Sequence, residues 1–285
     1  MPLRHTLHRH DRALSAVRLG KPGGAPLVAL HGFTGDGEDF GMLASQLDPQ
    51  VDLLAPDLIG HGRSDAPEER SRYTIAACAE DVLGWSAALG ELRGEPSLRP
   101  ALLGYSMGGR VALTAAVARP EAWSALILIG ATAGIDDEAE RAARQAADAR
   151  LAAQIRASGV EAFLAAWRQK PIIATQRRTP EPWRGQMAAR RRRNRAAGLS
   201  RSLEAMGTGA MPPLWGRLGA IACPVLLVVG EEDVKFQRLA ARLRGELGAA
   251  EVAVIDGAGH AAHLEAPERF GERLEAFLAR LDLLN

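Results

Sequence analysis

Cysteine and lysine are both scarce in this chain of 285 residues. Cys78 lies in a helical pattern and Cys223 just before an apolar run, so we expect two small buried side chains rather than a disulfide. Lysine occurs only at positions 21, 170 and 235, and the abundance of arginine and alanine is attributed to base composition rather than to function. The net charge of +1 gives no overall attraction to nucleic acid or to an anionic membrane.

Long apolar runs, metal-ligand spacings and nucleotide or flavin motifs are missing as well. No apolar run is long enough to span a bilayer, and residues 1–20 lack the apolar centre of a signal peptide. We therefore expect a cytoplasmic protein without stable membrane insertion, without a metal site and without a cofactor. No pattern in the sequence specifies an oligomeric state.

Short apolar runs alternate with helical patterns over most of the chain. After a weakly alternating stretch that can form an opening hairpin, the apolar runs lie at 26–30, 51–55, 101–103, 125–129, 224–229 and 251–255. The helical patterns lie at about 38–47, 75–89, 107–118, 236–247 and 267–281. Strands that are apolar throughout and alternate with helices predict an α/β fold, with a mostly parallel sheet covered by helices on both faces.

This alternation stops between about residues 134 and 219. The segment is rich in alanine and arginine, is interrupted by glycine and proline, and contains no strand-like run apart from 171–173. A helical insertion between two strands of a parallel sheet lies over the edge where such sheets bind ligands. We therefore predict a core formed by residues 1–133 and 220–285 and a helical cap formed by 134–219. A helical decoration elsewhere on the surface is the alternative.

Residues 104–109 have the sequence GYSMGG, directly after an apolar run and before a helical pattern. A serine in G-x-S-x-G spacing between a strand and a helix is typical of a nucleophile elbow, a strained turn that raises the hydroxyl above the sheet. Glycine is needed on both sides because a Cβ there would collide with the neighbouring strand or helix. Ser106 is therefore the predicted nucleophile.

A serine nucleophile needs a base, and the base needs an acid that orients it. In an elbow fold of this kind the acid and then a histidine follow the serine, on loops after later strands. Asp233 follows one such strand, and we prefer it to Glu231 and Glu232, which stand closer to the strand end. His260 lies in a glycine-rich loop after the next strand. We prefer it to His263, which would begin the following helix or line the pocket.

An oxyanion hole in such a fold uses the backbone amide after the nucleophile and a second amide from an earlier loop. The first amide would belong to Met107. The second would belong to Phe33, in the sequence HGFTG that follows the apolar run at 26–30. The alternative interpretation of this loop is an ordinary turn with two glycines.

These segments resemble the α/β-hydrolase superfamily over essentially the whole chain. The supporting sequences are HGF at 31–33, PDLIGHGRS at 56–64, the elbow, and the loops of Asp233 and His260. The elbow with Arg110, the acid loop GEEDVKF and the cap sequence GTGAMPPLW further resemble the 2-succinyl-6-hydroxy-2,4-cyclohexadiene-1-carboxylate (SHCHC) synthases, the pyruvate-eliminating lyases of menaquinone biosynthesis. Met211 departs from that pattern, in which glutamine is expected at its position.

The resemblance implies a small-molecule substrate with several carboxylates, and arginine is the usual partner of that group. Arg110 also stands out by itself. It lies one turn after Ser106, at the positive end of a helix with apolar flanks, where a cation is disfavoured. We predict that Arg110 binds a substrate carboxylate, and a structural ion pair is the alternative.

Four more residues are assigned to substrate binding mainly by the resemblance. Arg144 lies in a charged helical pattern and Arg191 in the basic run 190–193, and each by itself would be a solvent-exposed charge. Nucleic-acid binding by the basic run is a third interpretation, which we do not favour. Trp167 can equally belong to the core of the cap, and Tyr105 can hydrogen-bond the substrate or simply pack.

The resemblance implies that the protein eliminates pyruvate from 2-succinyl-5-enolpyruvyl-6-hydroxy-3-cyclohexene-1-carboxylate to give SHCHC, with Ser106 acting as a base. One alternative is a serine hydrolase that uses the same triad on a carboxylic ester or a carbon–carbon bond. Another is a binding protein of the same fold without catalysis. The presence of serine, acid and histidine in the required order argues against that last function.

Overall fold

The computed structural model describes residues 3–47 and 50–284 and contains one eight-stranded sheet. The strands are β1 (Leu3–Arg9), β2 (Arg12–Gly20), β3 (Ala25–Leu30), β4 (Val51–Pro56), β5 (Ala101–Tyr105), β6 (Ala125–Ile129), β7 (Val225–Gly230) and β8 (Ala250–Ile255). Their spatial order is β1-β2-β4-β3-β5-β6-β7-β8. Neighbours from β4 to β8 pair in parallel, whereas β1 with β2 and β2 with β4 pair antiparallel. The predicted opening hairpin and the mostly parallel sheet are confirmed.

Ten α-helices accompany the sheet in the described residues. They are α1 (Gly41–Leu47), α2 (Ile75–Arg93), α3 (Met107–Ala118), α4 (Glu138–Trp167), α5 (Pro171–Ala174), α6 (Trp183–Arg192), α7 (Ala196–Met206), α8 (Val234–Glu246), α9 (Ala262–Glu265) and α10 (Pro267–Ala279). None of them is long and apolar enough to cross a membrane.

The two faces of the sheet carry separate apolar cores, because successive side chains of a strand point in opposite directions. Val28 and Leu30 of β3 pack into the core formed with α2, α3 and α8. Leu27 and Ala29 of the same strand pack into the core formed with α1 and α10. The α/β fold with helices on both faces is therefore confirmed.

The outermost strand differs from the prediction of strands that are apolar throughout. In β8, Glu251 and Val254 are exposed, while Ala253 and Ile255 are buried. The reason is its position at the edge of the sheet, where β8 has only one neighbouring strand. The six residues of β7, which has a strand on each side, are all buried.

The chain between β6 and β7 is helical, and the structure, which describes every residue of this segment, shows no strand in it. The run at 171–173, which resembled a strand in sequence, begins the short helix α5. Residues of α4 and α7 form a small apolar core of their own, made of Ala152, Ile155, Phe163, Leu164, Leu199 and Leu203. Gly159, with φ 78°, interrupts the regular geometry of α4.

Both cysteines are buried and free, as expected from the sequence. Cys78 belongs to the core between the sheet and α2. Burial of the Cys78 side chain raises the pKa of its thiol above the usual range. The thiol is therefore neutral and inert at physiological pH.

Candidate active site

The turn between β5 and α3 has the geometry of a nucleophile elbow. Ser106 adopts φ 51° and ψ −104°, a conformation that a non-glycine residue rarely takes. A Cβ on Gly104 would lie 2.5 Å from the Gly108 carbonyl oxygen, and a Cβ on Gly108 would lie 2.3 Å from the Leu30 carbonyl oxygen. Glycine is therefore required at both positions, for the steric reason inferred from the sequence.

Three side chains that follow the carboxyl ends of β5, β7 and β8 form one hydrogen-bonded chain. His260 Nε2 lies 2.9 Å from Ser106 Oγ, and His260 Nδ1 lies 2.6 Å from Asp233 Oδ2. The carboxylate accepts a hydrogen bond from Nδ1–H, which leaves Nε2 as the acceptor that faces the serine hydroxyl. The arrangement can draw a proton from Ser106 and stabilise the resulting imidazolium.

The two glutamates before Asp233 are turned to other partners. Glu231 accepts a hydrogen bond from the Gly257 amide at 2.8 Å, and Glu232 forms an ion pair with Arg178 at 2.8 Å. Asp233 is the residue that precedes α8, yet its side chain makes no capping hydrogen bond, so its carboxylate is directed to the histidine. The structure therefore brings together the acid that was preferred in the sequence and the histidine.

The second histidine of this region, His263, lies in α9 and is 2% exposed. Its ring lies 4.6 Å from that of Tyr105 and 5.6 Å from that of Phe40, measured between centroids. Burial among these rings lowers the pKa of His263 to about 3, so the side chain is neutral at physiological pH. The His263 ring packs against that of Tyr105 and makes no hydrogen bond to Ser106.

The two amides expected to form an oxyanion hole border the same cavity as Ser106. Met107 begins α3, and an N–H in the first turn of a helix has no partner within the helix. In the described part of the chain, the Phe33 amide has no hydrogen-bond acceptor either. His31 fixes the loop before Phe33, because its Nε2 accepts the Leu58 amide at 2.9 Å and its Nδ1 lies 2.8 Å from the Gly32 carbonyl oxygen.

A cavity of about 200 Å³ lies over the serine. All of the residues predicted for the site, apart from Asp233, line it: Phe33, Tyr105, Ser106, Met107, Arg110, Arg144, Trp167, Arg191 and His260. Asp233 lies behind His260. Three guanidinium groups therefore surround one small cavity, and this concentration of positive charge suits an anionic ligand.

Arg110 is the most buried of the three arginines, with 7% of its surface exposed. It donates a hydrogen bond to the Met206 carbonyl oxygen, and no carboxylate of the described residues lies within ion-pair distance. Burial, with a smaller effect from nearby Arg144, lowers the pKa of Arg110 to about 10. Arg110 therefore forms no direct ion pair among the described residues, and its binding to a substrate carboxylate stays a prediction.

Arg144 and Arg191 differ in how free they are. Arg144 forms an ion pair with Asp148 one turn further along α4, at 2.9 Å, and its side chain is 42% exposed. Arg191 is buried, and its Nε has no hydrogen-bond partner among the described residues. The neighbouring Arg190 points the other way and pairs with Asp36 at 2.9 Å. The basic run is therefore not a uniformly exposed face.

Trp167 and Tyr105 form opposite parts of the wall. The Trp167 ring packs against Phe33 and Phe163, with centroids 5.6 Å and 5.5 Å away, and its indole N–H is buried without a partner. The Tyr105 hydroxyl accepts a hydrogen bond from Gln176 Nε2 at 3.2 Å. Met211, where glutamine was expected, is fully buried in the apolar core and does not line the cavity.

Several lining residues were not predicted. Phe236 packs on the His260 ring with centroids 4.5 Å apart, and Lys235 lies beside it. Their position directly after Asp233 is the one signal that could have indicated them. Thr34, Gln176 and Ser202 also line the cavity, and no sequence pattern distinguishes them.

The helix α6 is joined to the loop that carries Phe33. Arg190 pairs with Asp39 at 2.6 Å as well as with Asp36, and Asn194 donates to the Thr34 carbonyl oxygen at 2.8 Å. Burial and the nearby charge of Asp39 raise the pKa of Asp36 to about 7, despite Arg190.

Within residues 3–47 and 50–284, no group of three His, Cys, Asp or Glu side chains is arranged to hold a metal ion.

Known proteins match this chain over almost its whole length. A model of the alpha/beta hydrolase family matches residues 27–273. A protein of Bacillus subtilis (strain 168), provisionally named 2-succinyl-6-hydroxy-2,4-cyclohexadiene-1-carboxylate synthase, is 38% identical over 90% of this chain and 90% of its own. The synthase of that name from Enterobacter sp. (strain 638) is 36% identical over 88% of this chain and 90% of its own.

The structure agrees with these matches. MenH from S. aureus superimposes with a TM-score of 0.85 and 25% identity, covering 99% of this chain and 100% of that chain. An enol-lactonase from Burkholderia xenovorans LB400, at 21% identity and a TM-score of 0.78, shares the fold alone. The resemblance drawn from the sequence motifs is confirmed. The chain belongs to the alpha/beta hydrolase family and, within it, to the 2-succinyl-6-hydroxy-2,4-cyclohexadiene-1-carboxylate synthases.

Proposed function

We propose that this protein eliminates pyruvate from 2-succinyl-5-enolpyruvyl-6-hydroxy-3-cyclohexene-1-carboxylate and releases SHCHC, the reaction that the relatives' name describes. The observation that carries the proposal is the set of three arginines around Ser106. The substrate bears several carboxylates, and guanidinium groups bind carboxylates through charge-assisted hydrogen bonds. A site for a neutral ester would not need to bury Arg110 beside its nucleophile.

In the proposed reaction, Ser106, His260 and Asp233 act as a catalytic triad that makes the serine a base. His260 Nε2 takes the hydroxyl proton, and the Ser106 oxygen removes a proton from the ring carbon next to the succinyl carbonyl. The electron pair forms a ring double bond between C2 and C3, the existing double bond shifts from C3–C4 to C4–C5, and the bond from C5 to the enolpyruvyl oxygen breaks. The proton held by His260 neutralises the departing enolpyruvate, which becomes pyruvate.

The negative charge that develops during proton removal lies partly on the succinyl carbonyl oxygen. We assign its stabilisation to the amides of Phe33 and Met107, which have no acceptor among the residues that the structure describes. Arg110, Arg144 and Arg191 orient the carboxylates. No step of this scheme consumes a redox or metal cofactor.

We further propose that residues 134–219 act as a cap over the core formed by 1–133 and 220–285. Arg144, Trp167 and Arg191 line the cavity from this segment, while Ser106 and Phe33 line it from the sheet side. A site built from both parts excludes water from the ring carbon once substrate is bound, which prolongs the life of the carbanion. Tyr105 and Trp167 provide the apolar surfaces against which the ring packs.

The test is pyruvate release from the immediate precursor, followed with lactate dehydrogenase and NADH. The wild-type protein is compared with Ser106→Ala and with the control Ser45→Ala. Ser45 lies in α1 and does not line the cavity. We expect release by the wild type and by Ser45→Ala, and loss of at least about a thousandfold in Ser106→Ala. Equal rates for the wild type and Ser106→Ala would refute the proposal.

The hydrolase alternative uses the same triad and is separated by a second assay. An acyl-enzyme mechanism produces a burst of p-nitrophenol from p-nitrophenyl acetate, equal in amount to the enzyme. We expect no stoichiometric burst, because the cavity is lined by three guanidinium groups and is matched to an anion rather than to a neutral ester. A burst together with absent pyruvate release would favour the hydrolase.

A further inference from the structure

Gln176 is a buried side chain in the cavity that the proposed reaction leaves without a role. It lies on the 3-10 turn Thr175–Arg178 that follows α5, and it is 5% exposed. Its Nε2 donates to the Tyr105 hydroxyl at 3.2 Å. Its Oε1 is buried and has no partner among the residues that the structure describes. An acceptor left in that condition has lost its hydration without gaining a hydrogen bond, so a bound ligand is expected to satisfy it.

The turn that carries Gln176 is held firmly against the histidine loop. Thr175 Oγ1 donates to Glu265 at 2.8 Å. The same Glu265 carboxylate accepts the amides of Gly259 at 2.7 Å and Ala261 at 3.1 Å, the two neighbours of His260 in the chain. Gln176 is therefore fixed with respect to the catalytic histidine before any ligand arrives, which is the condition for precise recognition.

Arg178, at the other end of the turn, makes a second connection. It donates to the Gly257 carbonyl oxygen at 2.9 Å and pairs with Glu232 on the acid loop. Both loops of the triad are thus tied to the turn, which fixes the backbone position from which the Gln176 side chain extends towards Tyr105.

Two other residues that line the cavity also carry unpaired buried atoms, and the polarity of these atoms indicates what the Gln176 oxygen can bind. Arg191 Nε and Trp167 Nε1 are donors and therefore match the carboxylates of the substrate. Gln176 Oε1 is an acceptor and repels a carboxylate. The relatives' product, by its printed name, carries one hydroxyl on its ring in addition to acidic and carbonyl groups. That hydroxyl is the donor in the molecule at neutral pH.

We propose that Gln176 is a specificity-determining residue that accepts a hydrogen bond from the ring hydroxyl of the substrate. The proposal rests on the proposed function, because the ligand is taken from it. The contact orients the ring about the axis set by the arginines, so that the proton to be removed faces Ser106. A ligand that lacks the hydroxyl leaves the Gln176 oxygen unpaired and loses this part of its affinity.

The experiment compares binding free energies in a double-mutant cycle, in which the Gln176 side chain and the ring hydroxyl of the ligand are each removed. Binding is measured in a protein that cannot turn the substrate over. The Ser106→Ala protein is titrated calorimetrically with SHCHC and with 2-succinylbenzoate, which keeps both carboxylates and the ketone but has no ring hydroxyl. The titrations are repeated after Gln176→Leu and, as a variant of closely similar length, Gln176→Met. Gln169→Leu, at an exposed glutamine before the same segment, is the matched control.

We expect Gln176→Leu and Gln176→Met to weaken SHCHC binding about tenfold and to leave 2-succinylbenzoate binding within about twofold, as one lost hydrogen bond requires. Gln169→Leu should change neither value. In the wild-type background, the Gln176 variants should raise KM for the precursor more than they lower kcat. Thermal unfolding of each variant verifies that it is folded.

Two results would overturn the inference. Equal weakening of both ligands would mean that the amide contacts a carboxylate through Nε2, and unchanged binding of both would mean that Gln176 only supports Tyr105. Pyruvate release by the wild type is measured first, and its presence shows that the proposed function stands even when the inference falls. Absence of both release and SHCHC binding would remove the proposed function together with the inference.

Discussion

Replacing Arg110 with methionine should stabilise the fold and impair the reaction at the same time. The guanidinium is 7% exposed and lies at the positive end of α3, one turn after Ser106. Because burial lowers its pKa from 12.5 to about 10, keeping the charge at pH 7 costs the folded state about 3 kcal/mol. Methionine has a similar reach and carries no charge, so the variant removes this cost.

A lost hydrogen bond offsets part of this increase in stability. The Met206 carbonyl oxygen loses the donor that it has in the wild type, which costs about 1 kcal/mol. We therefore expect a net increase of about 2 kcal/mol in the free energy of unfolding. For a domain of this size the midpoint temperature would rise by roughly 3–6 °C. Thermal and urea unfolding at pH 7 measure both quantities.

The same substitution removes a charge-assisted hydrogen bond to a substrate carboxylate. Such bonds contribute about 1.5–3 kcal/mol, so kcat/KM for pyruvate release should fall roughly 10- to 100-fold. Arg119→Met, at the exposed C-terminal end of the same helix, is the control, and we expect changes within about 0.5 kcal/mol in stability and none in activity. A destabilised Arg110→Met protein with full activity would show that the guanidinium serves the fold and not the substrate.

Two buried groups should make stability depend on pH in opposite directions. Burial lowers the pKa of His263 to about 3. Below about pH 6.5 the unfolded chain therefore binds a proton at this histidine, whereas the folded chain does not. The free energy of unfolding decreases as the pH falls from 6.5 towards 3. In His263→Phe, whose new ring would pack among those of Phe40 and Tyr105, the free energy of unfolding in urea should depend less on pH in that window, by up to about 1.4 kcal/mol per pH unit. An unchanged slope would contradict a neutral, buried imidazole. The pKa of Asp36 is raised to about 7, so the folded chain holds a proton that the unfolded chain loses above about pH 4. The contribution of Asp36 to stability is therefore complete at low pH and is lost as the pH rises from about 4 through 7. The free energy of unfolding of the wild type relative to Asp36→Asn should therefore decrease across that range, whereas an increase would show that pairing with Arg190 prevails over burial.

The main features of the fold could be predicted because they depend on local constraints. Six apolar runs of strand length, separated by helical patterns, predicted six of the eight strands to within one or two residues. The elbow was predictable for a steric reason, since the contacts of a Cβ at Gly104 or Gly108 exclude every other residue type. Ser106, Asp233 and His260 followed from the order in which such a fold delivers its catalytic groups.

Side-chain direction within the helical segment was decided by the tertiary structure. Arg190 and Arg191 are adjacent and chemically identical, yet one pairs with Asp36 and Asp39 and the other lines the cavity. A helix turns by about 100° per residue, so neighbours face different surroundings, and the surroundings come from distant parts of the chain. Arg144 was likewise indistinguishable from a solvated charge until the structure placed it beside the cavity that Ser106 lines.

The sequence by itself predicted the serine, acid and histidine that the structure brings together, and it indicated the family of the protein, because each depends on residue types at fixed positions along the chain. Only the tertiary structure decided which polar atoms are left without partners in the cavity. Gln176 has no neighbours in sequence that mark it, and its role depends on Tyr105, which is 71 residues away. Hydrogen-bond satisfaction is a property of packed surfaces, and it exists only after the chain has folded.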